Sequence, residues 1–209
     1  MLQWVIERAR ASAGYVSRPG LRNAIEVKVY ILCPEGDRIA DYFKKICPVI
    51  QGPEHDVLAR YKKLLDFSGA DHVVRITGDC PLIPEWIITR AIHIGVIDQV
   101  DYASNVDERM RLAWDGTDVE IMSARMLTLM DEKAFMKGDR EHVTTYARRE
   151  KLPDDFKSGF MTPGIDLSGL KLSVDTEDDL AAVRKQYERI LDCTKKAKEY
   201  YGDGNVYRY

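Results

Sequence analysis

Apolar and polar positions alternate along this chain in two periods, and the switch between them predicts its elements. Leu2, Val5, Ile6 and Ala9 recur at helical spacing, which predicts an amphipathic helix over residues 1–13. Residues 14–25 are rich in Gly, Ser, Pro and Arg and read as a loop. A strand is predicted over 27–32, a helix over 37–45 and a short strand at 49–50 before the Gln51-Gly52-Pro53 turn. Residues 56–67 place Val57, Tyr61, Leu64 and Leu65 on one helical face. A buried strand follows over 72–77, then a helix over 84–94 that begins with proline.

The second half reads differently. Tyr102-Ala103-Ser104-Asn105 is expected to follow a short strand. Residues 117–122 alternate, with Val119 and Ile121 on one face and Asp118 and Glu120 on the other. Ser123 is a predicted cap for a helix through Met130, and residues 140–149 read as a further helix. Residues 151–169 read as a loop, and a long helix is predicted over 176–191. Strands alternating with helices predict an α/β fold: a Rossmann-like, mostly parallel sheet flanked by helices, with a small antiparallel insertion at 100–125. The expected organisation is a single domain over 1–209.

Two strand ends carry the candidate chemistry. Arg75-Ile76-Thr77-Gly78-Asp79-Cys80-Pro81 is a strand running into a turn, and Leu170 to Asp175 is another apolar strand that leads straight into a helix. Ligands of open α/β sheets bind beyond the carboxyl ends of strands. Magnesium is usually held there by one or two carboxylates plus phosphate oxygens. Asp79 and Asp175 are therefore candidate metal ligands, set against plain turn and cap duty. Thr176 and Asp179 have the spacing of a capping box.

Other polar residues keep two readings each. Arg75 lies in an apolar strand and needs an anion, with a structural acid favoured over a phosphate. Asp118 and Glu120 meet sugar hydroxyls or sit near the metal, or they form a solvated strand face. Asn105 meets a sugar or closes a turn. Arg140 can grip a carboxylate or phosphate with its planar fork, and His142 is a proton carrier or a surface histidine. The Lys195-Lys196-Ala197-Lys198 run reads as a solvated helix face.

Composition narrows the field. A net charge of -3 gives no nucleic-acid footprint. There is no apolar run of membrane-spanning length and no signal peptide, so no membrane insertion is expected. Cys33, Cys47, Cys80 and Cys193 are scattered, with no CxxC pair, which argues against zinc and disulfides and for a reducing cytoplasm.

The segments at 2–8, 52–61, 75–82, 101–105, 115–120, 140–144 and 174–180 together resemble the nucleotide-sugar cytidylyltransferases. The resemblance is closest to the spore-coat-polysaccharide branch and more distant to the CMP-sialate and KDO cytidylyltransferases. It implies a Mg²⁺-dependent enzyme that joins CTP and a sugar into a CMP-sugar and pyrophosphate, for surface polysaccharide, as a homodimer. It places metal at Asp79 and Asp175, and sugar binding and subunit contact in the 100–125 insertion. The family's opening strand and glycine-containing phosphate loop have no counterpart here, so Met1 is expected to lie downstream of the natural start. The competing expectations are a nucleotide-sugar-dependent glycosyltransferase and an inactive remnant that binds or oligomerises. A glycosyltransferase would show an Asp-x-Asp motif after a strand, and the Gly78-Asp79-Cys80-Pro81 turn lacks the second acid.

Overall fold

The computed structural model describes residues 1–17, 25–106, 115–161, 169 and 171–201, with side chains described as far as 190. Its elements alternate as the pattern predicts. Helix α1 (Leu2–Val16) leads to strand β1 (Ile31–Pro34), helix α2 (Arg38–Phe43), strand β2 (Val49–Gly52), helix α3 (Val57–Ser68) and strand β3 (His72–Ile76). Then come α4 (Glu85–Ile92), a π-helical turn (His93–Ile97), β4 (Tyr102–Ser104), β5 (Val119–Ser123), α5 (Ala124–Lys133), α6 (Lys137–His142), α7 (Thr145–Arg149), β6 (Ser158–Phe160) and α8 (Glu177–Tyr201). This is the mixed α/β architecture expected.

The described strands form two sheets. Strands β1 and β2 pair in parallel, Ile31 opposite Val49. Strands β3, β5, β4 and β6 lie side by side in that order. Strand β5 runs antiparallel to both neighbours, and β4 pairs with β6 in parallel. The antiparallel element expected near 100–125 thus supplies an inner strand, β5, rather than an appendage.

Capping chemistry sets the helix starts. The Asp37 carboxylate accepts from Ile39 N–H, Asp56 from Ala59 N–H and the Ser123 hydroxyl from Met126 N–H. Helix α3 ends at Gly69, whose φ of 63° is the left-handed stop that glycine allows. Thr176 and Asp179 bond reciprocally at the start of α8, the predicted capping box.

Several boundaries differ from expectation. Residues 27–30 are not in the β1–β2 ladder, which starts at Ile31 and runs to Pro34. Tyr102-Ala103-Ser104 is itself strand β4, not the turn after one. The helix expected over 140–149 is two helices broken at Val143. The strand expected before Asp175 is reduced to one bridge, Asp115 to Lys171. Strand β5, for whose Asp118 and Glu120 face a solvated surface was one reading, is buried on both faces, with α4 and the π turn on one side and the α3–α5 cluster on the other. Close packing explains Gly95 in the π turn, where a Cβ would stand 2.4 Å from Ile121 Cδ1. The basic run at 195–198 lies on the backbone of α8, beyond the described side chains.

Three apolar clusters hold the layers together. The largest joins α3, β3, β5 and α5 through Leu58, Leu64, Met122, Met126, Leu127 and Met130. A second packs α4 against the other face of β5 through Ile83, Ile88, Val119 and Ile121. Each such side chain contributes about 1.5–3 kcal/mol on burial. Helix α1 is tied to α4 by an Arg8–Glu85 ion pair and to α8 by stacking of Trp4 on Tyr187. No described helix is long and apolar enough to cross a membrane.

Candidate functional site

A cleft of about 250 Å³ opens beyond the end of β3. Its walls bring together residues far apart in the chain: Arg75, Thr77, Asp79 and Cys80 from β3 and its turn, Asp115, Gly116, Asp118 and Glu120 from β5 and its approach, and His142, Arg148, Ser173 and Asp175 from later segments. Of the residues singled out in the sequence, Arg75, Asp79, Asp118, Glu120, His142 and Asp175 line it, and Asn105 and Arg140 do not.

Backbone contacts set the two candidate metal ligands side by side. The Val174 N–H donates to the Asp79 carbonyl at 3.0 Å, so the turn after β3 and the entry to α8 are joined next to both carboxylates. A second clamp lies one step away. Leu172 N–H donates to the Asp115 carbonyl at 2.6 Å, and the Ser173 hydroxyl to the Asp115 carboxylate at 3.1 Å. Gly116 makes this approach possible. Its φ is 89°, and a Cβ there would sit 2.2 Å from Ser173 N.

The acids fall into two classes. Asp175 is 59 % exposed and pairs with Lys171 at 2.8 Å. Lys171 also holds Asp179, whose carboxyl is lowered to about 2 by Lys171 and the Thr176 hydroxyl. Glu120 is only 1 % exposed. Its Oε2 accepts from Arg75 at 2.7 Å, and its Oε1 accepts from the hydroxyls of Tyr102 at 2.9 Å and Thr144 at 2.5 Å. The anion expected for Arg75 is therefore a structural acid. Glu120 does not lie on a solvated strand face. Burial and then the Glu120 charge push the Tyr102 phenol up. The Cys80 thiol is raised to about 12 by burial, which keeps it a neutral thiol between Thr77 and Asp79.

The remaining two sequence candidates serve the scaffold. The Asn105 amide donates to the Thr117 carbonyl at 2.7 Å and accepts from Val119 N–H at 2.8 Å, pinning β5. Arg140 spans Asp56 at 2.6 Å and Asp131 at 2.8 Å, joining α3, α5 and α6. Sequence reasoning missed Thr77, Arg148 and Ser173 as lining residues. Thr77 sits inside the strand-end motif and was open to notice, while Arg148 and Ser173 carry no local signal. Among the described residues, no group of three or more His, Cys, Asp or Glu side chains could hold a metal ion unaided.

No family model matches the chain. It is 31% identical over 133 residues to Uncharacterized protein MJ1063 of Methanocaldococcus jannaschii, a match covering 63% of this chain and 52% of that protein. The chain thus spans about half the length of this relative. Solved structures are similar over most of their length. A cytidylyltransferase from Leptospira borgpetersenii superposes with a TM-score of 0.68 at 21% identity, covering 96% of this chain and 88% of that one. CMP:2-keto-3-deoxy-manno-octonic acid synthetase, solved with CTP, gives 0.60 at 13% identity over 90% and 87%. Rv0371C of Mycobacterium tuberculosis, solved with manganese, gives 0.53 at 15% identity over 87% and 84%. The chain therefore shares its fold with cytidylyltransferases of known structure.

Proposed function

We propose that the protein is a Mg²⁺-dependent cytidylyltransferase that makes a CMP-sugar and pyrophosphate from CTP and a sugar, for surface polysaccharide. One observation carries the reading. Asp79 and Asp175, acids at two separate segment ends, line one cleft at the strand ends of this fold, their segments joined by the hydrogen bond from Val174 N–H to the Asp79 carbonyl. That is where α/β sheets bind ligands. Two structures of similar fold support it, one solved with CTP and one with manganese.

The donor set suits magnesium. Both residues offer hard oxygen ligands, and Mg²⁺ is usually bound by one or two carboxylates with phosphates completing its shell. Because the described acids make no metal site by themselves, the ion is expected to arrive with the nucleotide. Bound there, it would neutralise charge on the phosphate oxygens.

The protein's own residues position and shield. The sugar hydroxyl oxygen attacks the α-phosphorus, the bond from that phosphorus to the bridging oxygen breaks, and pyrophosphate leaves. Holding the reactants in line is the main contribution such a site makes. Asp118 and His142 line the cleft and are assigned to the sugar, and the imidazole of His142 is the lining group suited to accept the hydroxyl proton. A homodimer with the 100–125 region at its interface, working in the cytoplasm, completes the proposal.

The glycosyltransferase reading is weaker. Its nearest stand-in for an Asp-x-Asp motif is Asp118-Val119-Glu120, and Glu120 is committed to Arg75, Tyr102 and Thr144. Thermal unfolding with Mg²⁺ and CTP, with UTP as control, followed by a pyrophosphate-release assay, tests the function. A ligand at ~100 times its Kd stabilises by about 2.7 kcal/mol. A midpoint raised by CTP alone, with pyrophosphate released when sugar is added, is the expected result. Binding without turnover would favour a binding subunit, and indifference to both nucleotides would sink the assignment.

A further inference from the structure

Between α6 and α7 the backbone does something neither helix requires. Val143 has φ 63° and ψ -58°, and Thr144 N–H donates to the His142 carbonyl at 2.7 Å. This is a three-residue γ-turn of the left-handed kind, which is rare and strained. A β-branched residue with positive φ is an outlier that persists only where its surroundings fix it. Glycine would adopt the same angles freely. Val143 is instead fully buried in the main core cluster.

The turn's two neighbours connect to the cleft, one directly and one through Glu120. His142 lines it directly. Thr144, also fully buried, gives its hydroxyl to Glu120 Oε1. Tyr102 donates to the same oxygen, and the opposite oxygen holds Arg75, a lining residue. The chain of contacts runs from a strained backbone to a fixed carboxylate to a fixed guanidinium. Had residues 137–149 formed one helix, a helical N–H of Thr144 would have bonded four residues back, not to His142.

We propose that the His142–Val143–Thr144 turn is the positioning element of the cleft: it locks the Thr144 hydroxyl on Glu120, and Glu120 so held sets Arg75 on the wall to receive an anionic oxygen of the nucleotide. The nucleotide's identity rests on the function proposed above, whereas the positioning of Arg75 does not. Thr144 is a positioning residue here, since it acts through Glu120.

The test compares Thr144→Val, which keeps shape and removes the hydroxyl, with Thr144→Ser, which restores it. The Arg75 guanidinium is read by ¹⁵N NMR, through the exchange of its Nε–H and the rotation of its terminal nitrogens. Mg²⁺·CTP affinity is read by calorimetry. Thr144→Val is expected to speed Arg75 exchange and rotation and to weaken Mg²⁺·CTP about tenfold, the scale of a lost hydrogen bond to a charged group. Thr144→Ser is expected to return both to wild-type values. Tyr102→Phe removes the other donor to the same oxygen, should Thr144→Val fail to fold, and is expected to act in the same direction. An Arg75 signal unchanged in the folded variants overturns the proposal, as does a mobilised Arg75 with unchanged Mg²⁺·CTP affinity. If the unaltered chain takes up no Mg²⁺·CTP, the function proposed above fails, and the Arg75 signals alone decide the positioning role.

Discussion

The two sides of the cleft are built on opposite principles. On the Glu120 side, a fully buried carboxylate is satisfied by an arginine and two hydroxyls from three separate elements. On the Asp79–Asp175 side, the carboxylates stand in or near solvent, and what is fixed is the backbone beneath them, through the Val174–Asp79 bond and the Asp115 clamp. A buried charge must be paired to persist at all, so the Glu120 wall is rigid in the absence of ligand. An exposed carboxylate over a fixed backbone, such as Asp175 with its surface partner Lys171, can exchange that partner for another cation. The contrast separates scaffold from reagent: acids held on all sides shape the cleft, and acids left open can bind within it.

The largest expected effect tests the buried side. Glu120→Ala removes a hydrogen-bonded carboxylate from Arg75, leaving the Asp118 charge to offset it, and should cost about 3–5 kcal/mol in denaturant unfolding. A loss under about 1 kcal/mol would mean the network is not structural. Next comes the open side. Asp79→Asn should leave stability within about 0.5 kcal/mol and, on the function proposed above, lower Mg²⁺-dependent pyrophosphate release about 100-fold or more, since it would remove a proposed metal ligand. If Asp79→Asn instead unfolds the protein, Asp79 belongs to the scaffold and the comparison fails.

Sequence patterns expose one side of this comparison better than the other. Strand-end acids are local features: Gly78-Asp79 and Val174-Asp175 announce themselves by a turn or helix start beside an apolar run, and the structure brings both to the cleft. Helices and two of their caps were legible for the same reason, because Ser123 and Thr176 act on residues three positions away. The burial of Glu120 was not legible, because alternation specifies which residues share a face, not what covers that face. Its partners are 45, 18 and 24 residues distant. The break at Val143 was likewise invisible, since valine carries no turn propensity and the bend is imposed by packing. Arg140 advertised a fork for a carboxylate or phosphate, and only tertiary contact shows that the carboxylates of Asp56 and Asp131 occupy it.

A third prediction weighs strain against packing at Val143. Val143→Ala removes buried methyls and should cost about 1–2 kcal/mol. Val143→Gly removes more and adds chain entropy worth about 1 kcal/mol, but it releases a backbone strain of about 1–3 kcal/mol. The two variants should therefore be of similar stability by chemical denaturation. A glycine variant weaker than alanine by 2 kcal/mol or more would show that the turn is relaxed.

Acid titration extends the comparison to a second buried carboxylate. Burial alone would raise Asp101, but Arg125, the Lys157 amide and the Ser123 hydroxyl outweigh it and hold the carboxyl at about 2. A depressed acid contributes stability that is present above its unfolded value near 3.8 and is lost as pH falls toward 2. Burial lowers His72, opposed by Asp71 and Asp101, so the unfolded chain takes up its proton first and stability also declines as pH drops through about 6.5. Unfolding free energy measured from pH 7 to 2 should fall in these two windows, and Asp101→Asn should reduce the acid one, leaving the part that Asp179 contributes. An acid slope unchanged in Asp101→Asn would assign it to other carboxylates.

The smallest effect is expected at Lys171, which pairs with Asp175 and Asp179 at the open side. Both contacts are at the surface, where ion pairs are worth about 0–1 kcal/mol and weaken with salt. Lys171→Met should therefore change stability by less than about 1 kcal/mol, and the difference should shrink further at 1 M salt, where screening acts over about 3 Å. The same substitution frees Asp175 of a competing cation, so half-saturation by Mg²⁺ in the presence of CTP should move to lower concentration. A stability loss like that of Glu120→Ala would mean that Lys171 is a scaffold residue and that Asp175 is held as firmly as Glu120. An unchanged fold with a lower Mg²⁺ requirement would show Asp175 to be an open ligand that Lys171 merely occupies.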